Sequence, residues 1–130
     1  MPKKSKIPSR NKSSTGWWLY REVEQWVSDR QKKITPNSKF PIWENTRIIK
    51  AKNRDHALSK ALKLSGVGYP MRTNGGEWRF VGISQLLPIY EEIEDGAEIM
   101  WEDHGRLPTK RIKQLVKSKK QLVVFDDKEN

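Results

Sequence analysis

The segment from Gly16 to Ser28, GWWLYREVEQWVS, constrains this chain most, because it alternates with period two and carries large apolar side chains on both faces. Trp17, Leu19, Val23 and Val27 share one face, and Trp18, Tyr20 and Trp26 share the other. One face meets the core. The other needs a cover, from a terminal segment or from a second subunit.

The residues that follow supply a sheet for this strand and a helix to lie on it. After a polar loop over residues 29–41, Glu44 to Lys52, ENTRIIKAK, reads as a second strand. Asn53 is a good N-cap, Asp55 falls in the first turn, and Ala57, Leu58, Ala61 and Leu62 recur at helical spacing. A helix is therefore expected at about residues 54–65, with Gly66 in the left-handed C′ position. Tyr69 to Thr73 is a short strand, and Asn74-Gly75 signals a type I′ hairpin. Glu77 to Leu87, EWRFVGISQLL, sets Trp78 and Phe80 against Val81 and Ile83, and Pro88 ends its ladder or forces an edge position. Ala97 to Glu102, after the Asp95-Gly96 turn, reads as a half-buried strand, with Trp17, Trp78 and Trp101 filling the core. Beyond Pro108, TKRIKQLVKSKK places Ile112, Leu115 and Val116 on one side of a strongly basic helix, and Gln121 to Phe125 is a last short strand or a docking segment.

The expected fold class is thus α+β: a four- to five-stranded, mostly antiparallel sheet with one amphipathic helix packed on a face, plus a basic C-terminal helix. The α+β domain covers residues 16–105. A basic arm over residues 1–15, too poor in apolar side chains to offset the entropy of ordering, is read as disordered, and residues 106–130 form a basic tail.

Charge follows the same division. The net charge of +10 over 130 residues sits at the two ends, because residues 16–105 carry as many acids as bases. Within that body the stretch Glu91, Glu92, Glu94, Asp95, Glu98, Glu102 and Asp103 is acidic without a cation, so the tail has an acidic neighbour in its own chain to fold back on.

No catalytic constellation emerges. The absence of cysteine excludes disulfides, thiolate metal sites and cysteine nucleophiles, and fits a reducing, cytoplasmic compartment. Apolar runs are only a few residues long, so no membrane span is expected. His56 and His104, each beside an aspartate, read as solvated turn histidines, and Gly66-Val67-Gly68 follows a helix where a phosphate loop would precede one. The carboxylates from Glu91 to Asp95 lack an ordered spacing for a cation or an acid pair. Neither a cofactor nor a metal is expected, and the chain is not expected to be an enzyme.

Four stretches together resemble a known family: Gly16-Trp17-Trp18 opening a strand, Arg47-Ile48-Ile49-Lys50-Ala51 before a helix of Ala and Leu, Glu77-Trp78-Arg79-Phe80-Val81-Gly82-Ile83, and Asp95-Gly96-Ala97-Glu98-Ile99. They are similar to the small bacterial family catalogued as domain of unknown function 4288, over about residues 16–103. The resemblance implies a stand-alone cytoplasmic α+β domain and carries no activity, ligand or catalytic residue with it.

The function expected from these features is a non-enzymatic interaction module that uses Trp18, Tyr20 and Trp26 as an aromatic interface, as in a homodimer. Its basic ends would contact an acidic partner through Lys3, Lys4, Lys6, Arg10 and Lys12 and through Lys110, Arg111, Lys113, Lys117, Lys119 and Lys120. Two alternatives stand beside it. One is weak, sequence-indifferent nucleic-acid binding by the same arms, and the other is a small-ligand-binding protein or enzyme with a pocket between helix and sheet.

Overall fold

In a computed structural model the described residues are 6–128. The chain divides into two compact units, Met1–Met100 and Trp101–Asn130. The first is an α+β unit. Strand β1 (Trp17–Ser28) lies inside a four-stranded antiparallel sheet with β2 (Ile42–Lys50) on one side and β4 (Gly76–Pro88) on the other, and β3 (Met71–Thr73) completes the order β2-β1-β4-β3. Helix α1 (Arg54–Gly68) lies on one face.

The face it covers is the one carrying Trp18 and Tyr20. These two rings, with Ile49, Ala51, Ala57 and Ala61, form the core, and Ile83 and Leu86 pack against it. The helix turns a stripe of small residues, Ala57, Ala61 and Ser65, toward the sheet and leaves Leu58 and Leu62 exposed. Volume explains the choice, since the sheet already supplies two large aromatic rings and only small side chains let the helix approach them. Trp18 and Tyr20, expected as a surface for a second subunit, are therefore covered by the chain's own helix. Trp18 also donates its indole N–H to the Ala51 carbonyl at 3.2 Å.

At the N-terminus of α1 the Asn53 side chain accepts from the His56 N–H at 2.8 Å, and the His56 ring accepts from the Lys52 N–H at 3.0 Å. His56 is thus part of a cap. The helix does not stop at Gly66. It continues to Gly68, with neither glycine at positive φ, and ends at Tyr69, whose extended backbone is what a residue before proline favours.

Two irregularities shape the sheet. Relative to β1, strand β4 carries an extra residue between the partners of Arg21 and Glu22 and another between those of Val23 and Glu24. Each bulge bends the strand and changes which alternate residues point at α1. Leu86, Ile83, Phe80 and Trp78 consequently pair with Tyr20, Glu22, Glu24 and Trp26, so that Ile83 joins the helix side despite its odd spacing from Phe80. The Asn74-Gly75 hairpin is a two-residue turn, but only Gly75 has positive φ, so it is not type I′. Gly76 follows because a Cβ there would meet the Val27 carbonyl at 2.5 Å and the Trp26 ring at 2.7 Å.

The opposite face buries Leu19 and Val27, and Ile89 beyond β4 is buried as well. Ser13 and Thr15 donate to the Ile89 carbonyl at 3.0 and 2.8 Å, Ser14 donates to the Tyr90 carbonyl, and the Tyr90 hydroxyl donates to the Arg10 carbonyl. The serine-rich end of the basic arm is thereby tied to the sheet through polar bonds, a route to order that needs no apolar burial. Ala97 to Glu102 forms no strand, and Trp101, expected in the core, is half exposed.

In the second unit the basic segment is helical only over α2 (Thr109–Leu115), which buries no residue; 3-10 turns at Lys119–Gln121 and Val123–Phe125 replace the expected last strand. Ile112, Leu115 and Val116 are exposed. With so little apolar contact available, local bonds set the conformation, as where the Gln121 side chain accepts from the Ser118 N–H at 2.9 Å.

Candidate functional site

Burial of the Trp18 face has a consequence for the two acids that share it. Glu22 and Glu24 have the parity of Trp18, Tyr20 and Trp26, and both are buried, with 0% and 5% of their surface exposed. A carboxylate taken out of water costs several kcal/mol unless it is paired and hydrogen-bonded. Here the partners come from β2, from α1 and from the residue that follows α1. Arg47 on β2 donates its Nε–H to Glu22 Oε1 at 2.6 Å, and Ser65 on the last turn of α1 donates its hydroxyl to Glu22 Oε2 at 2.6 Å. Tyr69, just past α1, donates its hydroxyl to Glu24 and lies 3.4 Å from Glu22.

The local fold explains why these groups meet. Tyr20 and Arg47 are direct neighbours in the β1–β2 ladder, as are Glu22 and Asn45, and the two bulges frame Glu22 and Val23 on the β4 side. Ser65 continues the small-residue stripe of α1, so it reaches the sheet one turn beyond Ala61. Tyr69 is fixed by stacking on Phe80, with centroids 6.0 Å apart.

Electrostatics follow from the pairing. The bond to Glu22 holds the Arg47 guanidinium above its ordinary range. Burial, and then the bond to Glu24, push the Tyr69 phenol up to about 12, so it remains a neutral donor at physiological pH.

Beside the cluster lies a cavity of about 630 Å³, walled by Thr46, Arg47 and Ile48 of β2, by Leu64, Ser65 and Gly68 of α1, and by Tyr20, Glu22 and Tyr69. The Arg47 side chain is 54% exposed, and among the described residues its two Nη groups have no hydrogen-bond partner. A guanidinium anchored through Nε and open at both Nη groups offers a planar pair of donors suited to a carboxylate or phosphate. Past the end of α1, Trp26, Trp78 and Trp43 form an aromatic ladder with centroids 5.6 and 5.3 Å apart.

Of the residues singled out from sequence, Tyr20 walls this cavity and the others lie elsewhere. Trp18 and Tyr20 are core, and only Trp26 of that trio keeps partial exposure. Lys3 and Lys4 lie outside the described residues. Lys6 and Arg10 are exposed, and Lys12 lines a second cavity of about 230 Å³ with Lys52 and Arg54 at the start of α1. Lys110, Arg111, Lys113, Lys117, Lys119 and Lys120 are all exposed in the second unit, where Lys119 lies over the Phe125 ring and Lys117 donates to the Gln114 carbonyl. The Glu22 cluster was legible in one respect: two acids at alternate positions on an aromatic strand face must find partners if that face is buried. Nothing in the spacing pointed to Arg47, Ser65 and Tyr69 as those partners.

Among the described residues no group of three or more His, Asp or Glu side chains is placed to hold a metal ion, and no helix is long and apolar enough to cross a membrane. Residues 23–101 match the model of a family described as a domain of unknown function, DUF4288. No curated protein and no solved structure matches the chain.

Proposed function

The chain belongs to the DUF4288 family, and we propose that this member is a non-enzymatic interaction module whose Arg47 receives an acidic group of its partner. One observation carries the reading: Arg47 is held through Nε by a carboxylate with no exposed surface, while its Nη groups remain open on the 630 Å³ cavity. Anchoring removes most of the side-chain freedom that binding would otherwise cost. Tyr69 adds a polar edge to the cavity and Leu64 an apolar wall, which suits an acidic peptide side chain and its stem. The exposed cations of the arm and tail supply long-range attraction for the same partner.

A non-enzymatic role is supported by how the titratable groups are engaged. Glu22 and Glu24 are closed to solvent and satisfied within the cluster, and the Tyr69 proton is committed to Glu24. A general acid or base has to come within hydrogen-bond reach of its substrate.

Calorimetric titration of the whole chain with poly-L-glutamate tests the proposal. Saturable binding is expected, weakened by about 1–2 kcal/mol in Arg47→Lys, which keeps the charge and loses the fork. Equal binding by Arg47→Lys would sink it. So would preference for a single-stranded oligonucleotide that vanishes when residues 1–15 and 106–130 are removed, since that is the signature of nucleic-acid contact through the arms.

A further inference from the structure

Strand β2 is an edge, because among the described residues it pairs with β1 alone. The bonds from Trp26 N–H to the Pro41 carbonyl and from Ala51 N–H to the Gly16 carbonyl fix which of its residues face β1. Bonded residues alternate along an antiparallel ladder. The odd-numbered residues of β2 therefore bond inward, and Ile42, Glu44, Thr46 and Ile48 turn their N–H and C=O groups outward. At the far end, the Lys50 carbonyl is already taken by Lys60 Nζ at 2.8 Å.

Natural edges are blunted by proline, lysine, bulges or a covering segment. Between Ile42 and Ile49 there is no proline, no lysine and no break in register with β1. Ile42, Trp43 and Ile48 are 51%, 59% and 41% exposed. This is a regular and open edge with exposed apolar residues at both ends and the polar Glu44, Asn45, Thr46 and Arg47 between them.

We propose that it pairs with the same edge of a second copy, antiparallel about a two-fold axis at Asn45. Side-chain complementarity selects that axis. An axis at Glu44 or at Arg47 sets like charges face to face, and one at Thr46 sets Glu44 opposite Ile48 and Ile42 opposite Lys50. With the axis at Asn45, Ile42 meets Ile48 on the outer face, Glu44 meets Thr46, and Trp43 meets Arg47 on the α1 face, with no like charges opposed. The outward backbone groups then bond Ile42 to Ile48 and Glu44 to Thr46 across the axis, and the two sheets become continuous.

This pairing also alters the site. Trp43 of the second copy arrives beside Arg47 at the cavity rim, where an aromatic ring against the guanidinium and its stem walls the side that β2 leaves open. The dimer stands whether or not Arg47 receives an acidic group, so the two readings fail separately.

The chain has no cysteine, so Asn45→Cys places a single thiol per copy at the axis, in a non-hydrogen-bonded pair whose separation suits a disulfide. Sedimentation of the whole chain over a range of concentrations should show a dimer that dissociates on dilution. Ile48→Lys should weaken it about tenfold or more, whereas Leu58→Lys, on the exposed side of α1, should leave it unchanged. Oxidised Asn45→Cys should become a covalent dimer, and Thr46→Cys should do so far less. Far-UV circular dichroism checks that each variant is folded. A monomer at every concentration overturns the proposal, as does a dimer indifferent to Ile48→Lys, or cross-linking of Thr46→Cys as ready as that of Asn45→Cys.

Discussion

Replacing Arg47 by alanine isolates the electrostatics on which the site depends. Glu22 has no exposed surface, and it would keep the Ser65 bond at 2.6 Å while losing its one charged partner, also at 2.6 Å. Removing one partner of a fully buried pair costs about 3–5 kcal/mol. Arg47 is itself half exposed, so its removal admits water toward Glu22 Oε1, and the expected cost falls to about 2–3 kcal/mol. That is a large share of the roughly 5–15 kcal/mol that holds a small domain together. Urea denaturation at neutral pH, followed by tryptophan fluorescence, reads it directly. Adding Glu22→Gln to Arg47→Ala removes the stranded charge, so the double variant should be more stable than the sum of the single losses by about 1–2 kcal/mol. A loss below about 0.5 kcal/mol for Arg47→Ala, or strict additivity in the cycle, would refute the account of Glu22 as a buried charge held by Arg47.

Other consequences are measurable in the same protein. Tyr69 should ionise near pH 12 in an absorbance titration, and Glu24→Gln, which removes the second cause and leaves the burial, should bring it part of the way down. Because its folded pKa is raised, the stability it contributes is complete below about pH 10 and is lost as the pH rises through about 12. Ala61→Leu should cost about 1–3 kcal/mol by forcing α1 off Trp18 and Tyr20, while Leu62→Ala, on the exposed side, should cost under about 1 kcal/mol; thermal melts of the two variants distinguish these cases. Asn53→Ala should lower stability by about 1 kcal/mol in the same assay through loss of the α1 cap.

How far the sequence carries depends on the range over which each feature is determined. The long strands β1 and β4, the helix and its Asn53 cap, and the α+β class rest on local alternation, spacing and cap chemistry, and they were readable. Of the four residues at helical spacing, Ala57 and Ala61 pack while Leu58 and Leu62 are exposed, a choice that spacing alone leaves open. Which side packs depends on the size of Trp18 and Tyr20 across the interface. The position of Ile83 depends on two bulges that no residue of β4 announces by itself. Ala97 to Glu102 alternates like a strand, yet alternation supplies no partner ladder. The site is the least local feature of all, since Glu22 comes from β1, Arg47 from β2, and Ser65 and Tyr69 from α1 and the residue that follows it, and they meet only once the sheet and helix are assembled.

The central claim is that a buried Glu22 fixes Arg47 as an open recognition group. The nitrogen-15 resonance of Arg47 Nε–Hε, assigned by its loss in Arg47→Lys, tests this most directly. The account predicts a resolved signal set apart from the other arginines at neutral pH, slow to exchange with water, and shifted further when poly-L-glutamate is added. A signal that exchanges and averages with the exposed arginines, and that stays still when the acidic peptide binds, would contradict it.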